Sequence, residues 1–192
     1  MRRSISGFDR VGNRPVFDKI LPTMHLEVVL CDTDLEVVRS WRKAFRGLDV
    51  AIEACDFFDV EVDAYVSPAN SYGYMDGGFD LALRYRFPSI QQRVQQATGG
   101  YLPVGAAIVV TTEDPYIPFL ISAPTMVIPG DVSSTDNAYL ATKAALSAAL
   151  DHGEIASLAF PGMATGIGAM APGVAAHQMA RAFTEFLQLG AR

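Results

Sequence analysis

From His25 the chain runs HLEVVLCDTD, a clustered apolar stretch with polar ends that predicts a strand. Leu35, Val38, Trp41, Arg42 and Phe45 then recur at helical spacing until Gly47 stops the pattern. Two β-like stretches follow, DVAIEACDF and DAYVSPA, and the Gly, Asn and Asp of NSYGYMDGG mark a loop after them. That loop opens into FDLALRYRF, which reads as a helix interrupted at Pro88, resumed as SIQQRVQQA and ended at Gly99–Gly100. VGAAIVVTT and FLISAPTM read as two further strands.

Between Asn137 and Gly153, AYLATKAALSAALDH predicts an Ala- and Leu-rich helix, with Leu140, Ala144 and Ala148 on the face turned to a sheet. SLAFPG predicts a short buried strand, running into a second Gly-rich loop, MATGIGAM. A last helix carries Ala176, Met179, Ala180, Phe183 and Leu187 on one stripe. Residues 1–22 show neither period and are expected to form an extended arm, leaving 23–192 as the folded domain. The alternation of strand and helix is that of the α/β class. Two Gly-rich loops, each leading from a strand into a helix, point to a layered sheet flanked by helices with a site at strand carboxyl ends.

Composition narrows what such a site can hold. With 192 residues, half of them apolar and 19% charged, the chain can bury the core of one compact domain. A net charge of −6 has the wrong sign for gripping nucleic-acid backbones or anionic membranes through bulk charge. No apolar run approaches the ~18 residues of a membrane span, and none follows the opening MRRSISGFDRVGNRP, so the expected location is cytoplasmic. Cys31 and Cys55 are expected as reduced core thiols. His25, His152 and His177 are scattered without metal-ligand spacing, so neither a metal nor another cofactor is expected.

A phosphate needs donors and positive potential, and a helix N-terminus entered through glycines supplies both. Residues 67–83 and 160–173, which hold the two loops, contain no Lys or Arg, so a diphosphate there would be held by main-chain amides. The competing reading is that Gly77, Gly78, Gly166 and Gly168 only satisfy turns. Gly166, Gly168 and Ala171 also fit G-x-G-x-x-A, but that motif belongs at the first strand of a dinucleotide-binding unit. Here one helix remains before the sequence ends, with Glu185 inside it, and the fit fails.

The stretch DAYVSPANSYGYMDGGFD, Asp63 to Asp80, resembles the first signature of the macro domain family, roughly V-N-A-A-N followed by glycines. FPGMATGIGAMAPGVAAHQMA resembles its second, and Cys55–Asp56 stands where the family has Gly-Asp. The resemblance spans about residues 50–187 and implies a three-layer α/β/α fold with a mixed central sheet, binding ADP-ribose with its diphosphate between the loops. It implies roles for Asp56 at the adenine, with Phe57 beside it, and for Asn70 at the distal ribose. Gly77, Gly78 and Phe79 would line the first phosphate loop; Ala164, Thr165, Gly166, Ile167, Gly168, Ala169 and Met170 would form the second. Ser67, Ala69 and Asp76 complete the expected ligand contacts. Asp80, ten residues after Asn70, matches the catalytic aspartate of MacroD-type hydrolases. Its competing reading is an acid favoured in a first helical turn, where the dipole would also keep it ionised.

The sequence departs from the family pattern at Ser67 and Pro68, at Met75 and Asp76 within the shortened glycine run, and at Gly168, where MacroD-type enzymes often place an aromatic residue. Tyr72 and Tyr74 are the candidates to replace that aromatic. Two functions follow from the resemblance. One is hydrolysis of mono-ADP-ribose from acidic side chains, or of acetylated ADP-ribose, with Asp80 and Asn70 as the catalytic pair. The other is a module that reads ADP-ribose without turning it over. The expected partner is ADP-ribose or an ADP-ribosylated protein, with nucleic acid only as a modified substrate and no membrane.

Overall fold

A computed structural model describes residues 26–190 of the chain; the expected arm over residues 1–22 and the start at His25 lie outside these. Among the described residues six strands form one sheet in the order β2-β1-β6-β3-β5-β4: β1 (Glu27–Cys31), β2 (Ala51–Glu53), β3 (Ala64–Ser67), β4 (Ile108–Thr111), β5 (Phe119–Ser122) and β6 (Ser157–Phe160). All neighbours are parallel except β4 and β5, so the sheet is mixed.

Alternation along the strands sends their side chains into two cores. Val28, Leu30, Ala64, Val66, Ile121, Leu158 and Phe160 face one layer of helices: α1 (Leu35–Ala44), α4 (Asn137–His152) and α5 (Pro172–Gly190). Within that layer Trp41 is buried and donates from Nε1 to Met179 Sδ at 3.3 Å, locking α1 to α5. Cys31, Tyr65, Leu120 and Ala159 face the opposite side, where α2 (Gly78–Arg86) and α3 (Ile90–Thr98) supply Leu83, Ile90 and Val94. The break between α2 and α3 falls at Phe87–Ser89, around Pro88 as the sequence predicts. The three-layer α/β/α architecture and the mixed sheet agree with expectation.

Three local expectations are corrected. DVAIEACDF is a strand only over Ala51–Glu53; Asp56 then accepts from the Phe58 amide and caps a 3-10 turn over Phe57–Asp59. A side chain that bonds its own backbone two residues on ends the strand. On α4 the buried stripe is Ala138, Ala141, Thr142, Ala145, Leu146 and Ala149, whereas Leu140 is exposed and Ala144 and Ala148 are half-buried. Lys143, Ser147 and Asp151 recur four apart on the face that carries Leu140, so these polar positions, rather than Leu140, mark which side is out. On α5 Leu187 is exposed, because 19 residues outrun the 10 of α1 and the 16 of α4.

Candidate functional site

The two Gly-rich loops meet because β3 and β6 are neighbours in the sheet, with Tyr65 opposite Ala159. Loops far apart in sequence, 70–78 and 163–170, therefore leave adjacent carboxyl ends. At this point the chain also changes face, since α1 follows β1 on one side of the sheet and α2 follows β3 on the other. A crevice opens at such a switch. It is a cleft of about 410 Å³, lined from the first loop by Pro68, Ala69, Asn70, Tyr74 and Asp76–Asp80, and from the second by Gly162, Ala164 and Gly166–Gly168.

Ile167 brings the loops together: its Cδ1 lies 3.4 Å from where a Cβ on either Gly77 or Gly78 would stand. Gly78, at φ +55°, opens α2, and its N-cap residue Gly77 makes no side-chain cap. The amides of that first turn therefore keep their hydrogens without an intrahelical acceptor. The second loop is held in shape by its own backbone, with Met170 N donating to Ala164 O at 3.0 Å and Ala169 N to Gly166 O at 2.9 Å. Ala164 and Ala169 take positive φ there, an uncommon conformation for residues with a Cβ. A Cβ on Gly168 would lie 2.6 Å from Ala164 O and 2.9 Å from Val132 Cγ2. Gly168→Ala is accordingly expected to cost about 1–3 kcal/mol, read as a lower thermal midpoint.

A macro domain model matches residues 66–179, more than half of the chain. The chain belongs to the macro domain family. Among its relatives, an uncharacterized protein of Aquifex aeolicus is 32% identical over 139 residues, which is 72% of this chain and 83% of that protein. Another, of Aeropyrum pernix, is 34% identical over 76% of this chain and 75% of its own length. Among solved structures, the macrodomain of Mycobacterium tuberculosis DarG superposes with TM-score 0.60 at 21% identity, covering 69% of this chain and 88% of that one. The Oceanobacillus iheyensis macrodomain mutant G37V, solved with ADPR, gives 0.52 at 21% identity over 66% and 72%. Thermosipho africanus DarTG in complex with ADP-ribose gives 0.59 at 19% identity over 81% of this chain and 50% of that one.

In this macro domain Asp80 is not a surface cap. It is buried against the end of β3, where Ser67 Oγ donates to its Oδ1 at 2.6 Å, and it lines the cleft. Burial here works against the helix dipole expected to keep its carboxyl ionised. Burial pushes its pKa up from 3.8 to about 6, and the Ser67 hydroxyl pulls it back only in part. Ser67, expected to touch ligand, lies beneath Asp80 and outside the lining.

Asn70 lines the cleft, but its side chain mostly serves the loop. Its Nδ2 donates to Tyr74 O at 2.6 Å and its Oδ1 accepts from the amides of Tyr72 and Tyr74, both at 3.2 Å. The turn-forming reading of this asparagine is the one the geometry displays. Asp76 also borders the cleft, and its charge is answered by an ion pair with Arg84, which donates as well to Gln91 Oε1 at 3.3 Å.

Other expected contacts stand further off. Asp56, Phe57, Thr165, Ala169 and Met170 are outside the lining. Met170 is buried in the core and anchors the loop from below, and Thr165 donates to Gly162 O at 3.1 Å. Asp56 and Phe57 connect to the cleft through Phe79, whose ring packs on Phe57 at 4.7 Å and stacks on Phe58 at 6.1 Å. Of the tyrosines, Tyr74 lines the cleft, and Tyr72 stacks on it at 6.1 Å.

The sequence reading missed one wall of the cleft, made by Thr125, Met126 and Pro129. FLISAPTM leaves the sheet after Ser122 but stays beside the first loop: Ala123 N donates to Ser67 O, Thr125 N to Ala69 O and Ser71 N to Met126 O. The prolines at 124 and 129 and Gly130 were the available signal for a chain that is extended yet no longer strand.

Proposed function

We propose that this macro domain binds ADP-ribose and hydrolyses its linkage to an acidic side chain, or an acetyl ester of free ADP-ribose. The observation that carries the reading is a buried carboxyl, Asp80, held by Ser67 at a cleft between two Gly-rich loops and the Thr125–Pro129 wall. Two of the solved neighbours, one with ADPR and one in complex with ADP-ribose, support the ligand. The diphosphate lies across the first turn of α2 and beneath Ile167, held by main-chain amides. The adenine lies toward Phe79 and the Asp56 turn, whose carboxylate has a second oxygen to accept the amino group. Asn70 keeps the first loop in shape and has one amide hydrogen left for the distal ribose.

Asp80 then orients and deprotonates a water near the anomeric carbon, or near the ester carbonyl. A base whose pKa lies near 6 suits that work, being mostly ionised at neutral pH while still able to take a proton. The cleft lining contains no Lys or Arg, so most of the rate comes from positioning. The test is direct. ADP-ribose is titrated calorimetrically, and release is followed from ester-linked, arginine-linked and nucleic-acid-linked substrates. Binding with release from the ester supports the enzyme. Binding with every linkage intact leaves the non-catalytic reader, and absence of binding at millimolar ligand removes both.

Ser67 has a consequence of its own. Its hydroxyl favours the ionised carboxylate, so Ser67→Ala raises the Asp80 pKa by roughly one pH unit. The acidic limb of the kcat profile should move up by that amount while KM changes little. A uniform loss of kcat at every pH would instead point to a folding defect.

A further inference from the structure

Cys31 and Cys55 hold the only two sulfhydryl groups of the chain, and the fold brings them together. Cys31 is the last residue of β1; Cys55 lies two residues beyond Glu53, its partner on β2. Their sulfurs are 2.8 Å apart, and Cys31 Sγ also lies 3.3 Å from Cys55 O. A disulfide requires about 2.05 Å, so the gap closes with side-chain movement. The pair is tied to the cleft only through chain neighbours. Cys55 precedes Asp56, and Asp32, next to Cys31, accepts from the amide of Gly162 in the second loop at 3.2 Å.

We infer that Cys31 and Cys55 are a redox-modification site, closing to an intrachain disulfide when the protein meets a hydroperoxide and reopening with a dithiol reductant. The two sulfurs have unequal roles. Cys31 is fully buried, and desolvation together with the adjoining Cys55 pushes its thiol up to about 12, which keeps it protonated. Cys55 is only partly buried and meets the oxidant first. Its sulfur attacks a peroxide oxygen: an S–O bond forms, the O–O bond breaks, and the departing oxygen takes up the thiol proton. The sulfur of Cys31 then attacks that of the sulfenic acid. The S–S bond forms as the S–O bond breaks, and the hydroxide leaves with the Cys31 proton as water. Two thiols and one hydroperoxide thus give one disulfide, one water and one alcohol, or a second water from hydrogen peroxide.

The bond would staple β1 to the turn that carries Asp56, closing a loop between positions 24 apart. The test treats the full chain with hydrogen peroxide and reads intact mass, denatured thiol titration and thermal midpoint. The expected result is a monomer lighter by two hydrogens with no free thiol, a midpoint higher by about 5 °C or more, and full reversal by dithiothreitol. In Cys31→Ala the sulfenic acid has no resolving sulfur, so Cys55 should instead gain oxygen. Three results would overturn the inference: two titratable thiols surviving oxidant, oxygen added to wild type without loss of two hydrogens, or disulfides found only between chains. Wild-type mass alone decides the matter should the variant not fold. None of these readouts involves ADP-ribose, so failure here is separate from failure of the proposed function.

Discussion

Asp80→Asn is expected to lower ester hydrolysis by roughly 10²–10⁴-fold while leaving ADP-ribose affinity within a few-fold of wild type. The substitution keeps the shape of the side chain, and its amide oxygen can still accept from Ser67, so the loop should not move. What it removes is the basic oxygen. The same change has a second, opposite signature. A carboxyl whose folded pKa is raised favours folding fully below its unfolded value, and that contribution is lost as pH rises through about 6. The displacement from 3.8 to about 6 corresponds to about 3 kcal/mol at most. Asp80→Asn should therefore be more stable than wild type at pH 7.5, with the advantage shrinking toward pH 4. Chemical denaturation at the two pH values, alongside single-turnover rates, checks both halves. A variant that loses stability as well as turnover would show that Asp80 is chiefly a structural acid.

Gly78→Glu is expected to abolish ADP-ribose binding, a loss of at least about 100-fold, because it strikes the cradle in three ways. Gly78 has φ +55°, which a residue with a Cβ adopts only under strain. Its Cβ would meet Ile167 at 3.4 Å, ordinary contact for a methyl, but the longer Glu side chain has to push Ile167 aside. The added carboxylate would then stand at the amides proposed to hold a diphosphate, in a cleft that already contains Asp76 and Asp80. Gly77 is a useful contrast. Its backbone is extended at φ −156°, and the contact to Ile167 is the same 3.4 Å, so Gly77→Ala should bind only a few-fold more weakly. Calorimetry with ADP-ribose on both variants separates charge and strain from mere bulk. Equal affinity across wild type, Gly77→Ala and Gly78→Glu would place the diphosphate elsewhere.

Much of this architecture is legible in the sequence. The order of strands and helices, the stop at Pro88 and the two loops follow from period and punctuation, which are local properties of the chain. The resemblance supplied the mixed sheet. What stayed hidden depends on contacts between distant segments. Ser67 reads as a substituted ligand contact, and only the depth of Asp80 beside β3 turns it into that acid's hydrogen-bond donor. Asn70 offers the same amide to a sugar or to its own loop, and the backbone of Tyr74 takes it. The exposed Leu140 is a different case, since Lys143, Ser147 and Asp151 on its own face already mark that side as out. The pairing of Cys31 with Cys55 required the register of β1 on β2, which no pattern of residue types encodes.

The position of β6 bears on how the molecule is born. It is the last of the described strands in sequence, yet it lies between β1 and β3. During synthesis the two halves of the sheet have no common edge until residues 157–160 leave the ribosome and slide in as a keystone. Such late, long-range closure makes for slow folding. It also means that a truncated or half-folded chain exposes the flanks of β1 and β3 and has no working pocket, so capture of nucleotide becomes a report that the whole sheet has closed.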